Sequence, residues 1–149
     1  MNNPFTILPA NLLRQSLGEA EDILSQLLTA AQALADADEN HTRAKSAANA
    51  VAETLAAAEV ELIVAAETQA QAGDGPLAGL AKTSKAYTAA LAKLINDAHA
   101  GELAELHANV RGLSVVAEEA TIAADRARTL YSSYRHASDL KAAILKASL

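Results

Sequence analysis

Residues 12–34 read LLRQSLGEAEDILSQLLTAAQAL, and the spacing of their apolar side chains decides the fold. Leu13, Leu17, Ala20, Leu24, Leu27, Ala31 and Leu34 alternate at intervals of four and three. That is the heptad pattern by which one helix lays a seam against another. A second seam follows at Ala44, Ala48, Val51, Leu55, Ala58, Leu62 and Ala65. Joining the two through Ala37, His41 and Ala44 takes two successive steps of three, Ala31 to Leu34 and Leu34 to Ala37, a local overwinding of the seam. The polar run from Asp36 to His41 there contains neither Gly nor Pro. The pattern predicts one long helix over 10–71, bent near residue 40, with a short turn there as the alternative. Sixty residues of helix would reach roughly 90 Å.

The break after it is Ala72-Gly73-Asp74-Gly75-Pro76. Glycine supplies left-handed backbone angles and proline suits the first turn of a following helix. Leu77, Leu80, Ser84, Tyr87, Leu91, Leu94 and Ala98 then predict a helix over 77–99. A last helix over 102–147 carries a stripe through Leu106, Val110, Leu113, Val116, Ala120, Ala123, Ala127, Leu130, Tyr134 and Ile144. Before the first helix, Pro4 and Pro9 exclude a helix interior, so residues 1–9 are expected as an extended arm. The expected architecture is all-α: an elongated helical hairpin, or coiled-coil-like bundle, with a turn near 72–76 and 10–149 as a single domain.

Composition agrees with that pattern. Of 149 residues, 51% are hydrophobic but only 3% aromatic, and 38 are alanine. Ala, Glu, Lys, Leu and Arg together make 55% of the chain, a long-helix composition. Much of the apolar content is methyl groups, which cannot fill a thick core. Alanine recurs on the seams, at Ala20, Ala31, Ala44, Ala48, Ala58, Ala120, Ala123 and Ala127. There it lets helix axes approach the short end of the usual separation, about 8 Å. A continuous seam needs other helices to cover it, and identical chains supply them at least cost. Leu13, Leu17, Leu24, Leu27, Leu34, Val51, Leu55 and Leu62 are the expected oligomerisation seam.

Several chemistries are excluded by residue type and spacing. The chain has no cysteine, hence no thiolate metal site and no thiol catalysis. Asp36-x-Asp38-x-Asn40 begins like a calcium loop but has His41 where glycine is needed and Ala47 where glutamate is needed. Gly73 to Gly79 before Lys82-Thr83 lacks the Gly-x-x-x-x-Gly-Lys spacing of a phosphate loop. His99 and His107, eight residues apart, would lie roughly 80° from each other on one helix, which does not make a metal pair. No base stands beside a nucleophile by local spacing. The expectation is a protein without enzymatic activity, metal or cofactor. Met1 to Ala10 lacks the form of a signal peptide, and no apolar run reaches a membrane span, so the expected location is the cytoplasm.

The net charge of −6 is unevenly distributed. Residues 1–75 carry three basic against 11 acidic side chains. Among the last 24 residues, Arg126, Arg128, Arg135, Lys141 and Lys146 face only Asp139. This basic stretch reads as a solvated face, as a stripe that meets phosphate, or as an arm that pairs with the acidic one. Tyr131 and Tyr134 lie within it and could stack on bases.

The layout of residues 43–149 resembles small phage proteins of the UvsY type, the recombination mediators. The likeness rests on a charged helix ending near Thr68-Gln69, the Gly73-Asp74-Gly75 turn, the Lys82-x-x-Lys85 helix start, and a long last helix with Tyr131 and Tyr134. It implies a homo-oligomeric helical accessory protein that helps load a recombinase onto single-stranded DNA. The family's basic positions before the turn reduce here to Arg43 and Lys45. DNA contact is therefore expected at Arg126, Arg128, Tyr131, Arg135, Lys141 and Lys146. The expected partners are the chain itself, single-stranded DNA, and a recombinase or another phage protein, in the host cytoplasm. The alternative is a structural protein, a virion, scaffold or adaptor component built by helix–helix packing.

Overall fold

The computed structural model describes residues 9–148. They are 88% helical and contain no strand. The helices are α1 (Ala10–Gln71), α2 (Lys85–Ala100) and α3 (Ala104–Ser148). The chain is an all-α helical hairpin, α1 leading into the turn and α2 and α3 following it. The expected extended arm lies outside the described residues except for Pro9.

Pro9 stands just before α1, and its carbonyl accepts the Leu13 N–H at 3.1 Å. Its fixed φ suits that place and its missing N–H costs nothing there. α1 then runs 62 residues, through the polar segment Asp36–His41, because alanine-rich sequence without an internal proline favours continuation. It stops at Gly73, whose φ of +82° turns the backbone left-handed. The Asp74 N–H reaches the Gln69 carbonyl at 2.9 Å and the Gly73 N–H reaches Ala70 at 3.0 Å. These two bonds satisfy carbonyls that the helix end would otherwise leave open.

α2 begins at Lys85, eight residues later than the spacing from Leu77 predicts. Gly79, at φ +72°, interrupts any helix there, and residues 75–84 form successive short turns instead. Leu77 and Leu80 still point inward, so their spacing imitates a helix. Ser84 caps the true start, its hydroxyl accepting the Tyr87 N–H at 3.1 Å. Gly101 ends α2, and the Leu103 N–H bonds the Ala98 carbonyl at 2.7 Å before α3 starts.

The helices divide into two compact units. The first joins α1 up to Thr42 with α3 from Glu119; the second is Arg43–Glu118. In the first unit the two helices run antiparallel, with Glu19 opposite Lys141 and Asp38 opposite Arg128. The covered positions on α1 are Leu13, Ser16, Ala20, Ile23, Leu27, Ala30 and Leu34. On α3 they include Ala120, Ala124, Ala127, Tyr131, Tyr134 and Lys141. In the second unit, Glu67 meets Tyr87 and Glu59 meets His99, which sets α2 antiparallel to the end of α1. Full burial falls mostly on alanine: Ala30, Ala66, Ala98 and Ala124, with Leu55 and Leu77 the larger members. Ala124 takes the place that the spacing assigned to Ala123, which is exposed.

Candidate functional site

The residues with functional promise lie on the two arms of the first unit. The basic stretch of α3 runs beside the acidic start of α1, and charge attraction draws some of its cations inward. Lys141 Nζ donates to Glu19 Oε2 at 2.5 Å, with the lysine side chain only 15% exposed. Its methylenes occupy an inward position while the ammonium reaches the carboxylate. Hydrogen bonding from Lys141, then from Gln15, holds the Glu19 carboxyl below its ordinary value. Arg128 donates to Asp38 at 2.5 Å through one nitrogen and to Asp125 at 2.8 Å through the other. The pairing of acidic and basic arms, one of three readings of the charge pattern, is therefore present.

This divides the residues expected to contact DNA. Arg128 and Lys141 are engaged by carboxylates of their own chain. Tyr131 is half-buried and sits among the covered positions of α3. Arg126, Arg135 and Lys146 are exposed and form no ion pair among the described residues. They do not form one patch. Positions advance about 100° per residue around a helix, which puts Arg126 roughly half a turn from Arg135 and Lys146.

The expected oligomerisation seam also divides. Leu13, Leu27, Leu34, Val51 and Leu62 are half-buried and Leu55 is buried, all covered within the single chain. Leu17 and Leu24 are not: they are 48% and 51% exposed, and Leu28 beside them is 72% exposed. α3 exposes Ile122, Leu130, Leu140 and Ile144 in the same unit. Leaving such side chains in water forgoes about 25 cal/mol for each Å² of apolar surface. A few exposed leucines are ordinary, whereas rows of them at helical spacing mark surfaces built to be covered. Spacing alone had merged two stripes on α1, one for the chain's own α3 and one facing outward.

Two grooves lie in this unit. A groove on α3 is lined by Ile122, Asp125, Arg126, Thr129, Leu130 and Ser133, all from one helix. Another lies between the arms, lined by Ala20, Ile23, Leu24, Ser138, Lys141, Ala142 and Leu145.

The second unit holds a separate polar cluster. His99 at the end of α2 and His107 in the first turns of α3 stack with ring centroids 4.1 Å apart. The break at Gly101 makes this possible, where a single helix would have splayed them. His99 Nε2 donates to Glu59 Oε1 at 2.5 Å. Stacked ring faces do not aim two nitrogens at one point, and no group of three metal-ligating side chains occurs among the described residues. Nor is any described helix long and apolar enough to cross a membrane.

Near the turn, the Tyr87 hydroxyl donates to Glu67 Oε1 at 2.6 Å and Lys82 lies 3.0 Å from the same oxygen. The Tyr87 hydrogen bond, then that of Lys82, lowers the Glu67 carboxyl. Glu67 in turn raises the Tyr87 phenol. A lowered carboxyl stabilises the fold above its unfolded value, and that stabilisation is lost as pH falls through the folded one. A raised phenol stabilises below its unfolded value, and that part is lost as pH rises through the folded one. The contact thus holds across neutral pH and fails at both ends. Tyr87→Phe is expected to lower the thermal midpoint at about pH 7, and by progressively less as acid carries the pH down through the lowered Glu67 value. Circular dichroism melts across a falling pH series measure this. Equal losses would show that the phenol only packs.

Comparison with protein-family models, with curated proteins and with solved structures returned no match.

Proposed function

We propose that the protein is a non-enzymatic, self-assembling helical protein, a scaffold or adaptor component that works by helix–helix packing. The observation that carries this reading is the pair of exposed apolar rows in the first unit, Leu17, Leu24 and Leu28 on α1 and Leu130, Leu140 and Ile144 on α3. The groove on α3, lined by a single helix, offers little enclosure to a small substrate, whereas open apolar rows suit a partner helix.

The second reading is the recombination mediator, acting on single-stranded DNA and a recombinase. Exposed Arg126, Arg135 and Lys146 favour it. The engagement of Arg128 and Lys141 by carboxylates weighs against it, because two of the five cations are neutralised within the chain.

Two measurements separate these readings. Light scattering at micromolar concentration is expected to give a particle heavier than the 15.4 kDa chain, and a monomer would overturn the self-assembly reading. Anisotropy of a labelled single-stranded oligonucleotide at about 50 mM salt is expected to show no binding. Binding that falls steeply with salt, and is lost on joint Arg126→Ala, Arg135→Ala and Lys146→Ala substitution, would instead establish the mediator reading.

A further inference from the structure

Of the seven aspartates, six stand inside helices: Asp22, Asp36 and Asp38 in α1, Asp97 in α2, and Asp125 and Asp139 in α3. The residue after each donates its N–H to the carbonyl four residues back, so that nitrogen is engaged in the helix ladder. Each of those following residues, Ile23, Ala37, Glu39, Ala98, Arg126 and Leu140, also carries a side chain that crowds its own nitrogen.

Asp74 differs on every count. It is exposed in the turn after α1, with its own N–H tied back to the Gln69 carbonyl at 2.9 Å. Its side-chain carboxyl makes no hydrogen bond or ion pair among the described residues. The next residue is Gly75, also exposed, whose N–H donates to nothing among the described residues. Gly75 sits at φ +85°, and a Cβ there would lie 2.9 Å from Gln69 Oε1. Backbone angle and space both keep the position for glycine, and glycine puts no side chain beside its own nitrogen. A free carboxyl therefore stands next to a free, unhindered amide.

We propose that Asp74–Gly75 is a site of spontaneous backbone modification, closing to a cyclic imide that reopens as isoaspartate. The Gly75 nitrogen attacks Cγ of the Asp74 carboxyl in its neutral form. An N–Cγ bond forms, the bond from Cγ to the carboxyl hydroxyl breaks, and that hydroxyl leaves with the nitrogen's proton as water. The five-membered imide then takes up water at either carbonyl. Opening at the former side-chain carbonyl restores aspartate. Opening at the backbone carbonyl leaves the chain running through the side chain, one methylene longer, with the α-carboxyl free. Only water enters or leaves. The change falls on the residue whose N–H closes the end of α1, so it alters the turn between α1 and the segment that follows.

The test holds the full folded chain at neutral pH and body temperature for several weeks. It is then digested and mapped by mass spectrometry with electron-transfer fragmentation, which distinguishes isoaspartate from aspartate. Isoaspartate at Asp74 is expected to exceed that at any of the six helical aspartates by an order of magnitude, preceded by a species lighter by one water. Asp74→Glu is expected to abolish the signal, because its imide would need a six-membered ring. Asp74→Asn reaches the same imide by losing ammonia and is expected to form isoaspartate sooner than the wild type. Isoaspartate at Asp74 no greater than at the helical aspartates would overturn the proposal. So would isoaspartate that forms at Asp74 only after the chain is unfolded in urea, since the folded turn would then be protecting the pair.

Discussion

Leu77→Ala is expected to lower the stability of the fold by about 2–5 kcal/mol, the range for removing a fully buried leucine. Leu77 is 2% exposed and is the one large side chain almost wholly sealed among the described residues. It lies in the turn region with Glu67, Ala70, Leu80 and Tyr87 lining the space around it. Those neighbours are poorly placed to collapse into a void. Tyr87 is tied to Glu67, and the backbone on either side is set by Gly75 and Gly79 at positive φ. In a chain whose other buried residues are mainly alanine, one leucine carries a large share of the local burial. Urea or thermal unfolding followed by circular dichroism gives the value. A loss below about 1 kcal/mol would mean that the turn closes over the smaller side chain.

How far the sequence discloses this molecule depends on which residues carry the signal. α1 is legible because its apolar spacing runs unbroken and the glycines after Gln71 stop it. The start of α2 is not, because Leu77, Leu80, Ser84 and Tyr87 keep a three-four spacing while the backbone between them makes short turns. Only the positive φ of Gly79 tells the two apart, and a glycine does not announce its angle. The outward row has a similar history. Leu17 and Leu24 stand in heptad register with Leu13 and Leu27, yet the chain's own partner covers Ser16, Ile23 and Ala30 instead. A one-residue shift in which stripe faces inward is invisible when both stripes are apolar. Charge asymmetry pointed to α3 as the functional arm, but nothing local distinguishes cations held by distant carboxylates from free ones. Arg128 and Asp38 are 90 residues apart in sequence. The stacked His99 and His107 needed a break at Gly101 that their eight-residue spacing does not reveal.

The alanine content yields the sharper test, since adjacent alanines on α3 are expected to respond in opposite ways. Ala124 is 0% exposed, while Ala123 before it is exposed. Replacing Ala124 by leucine puts three more carbons where the first unit has no open space. Either the side chains distort or the helix axes move apart, and overpacking of this kind costs about 1–3 kcal/mol. Separation would also disturb Arg128–Asp38, because Arg128 lies one turn beyond Ala124 and its 2.5 Å contact depends on the arms staying close. Ala123→Leu adds the same atoms with the same helix propensity on the outer surface and should change stability by no more than about 0.5 kcal/mol. The comparison cancels composition and local propensity, leaving only the distance between helices. If Ala124→Leu cost no more than Ala123→Leu, alanine would be serving as a helix former and not as the spacer that brings the arms together.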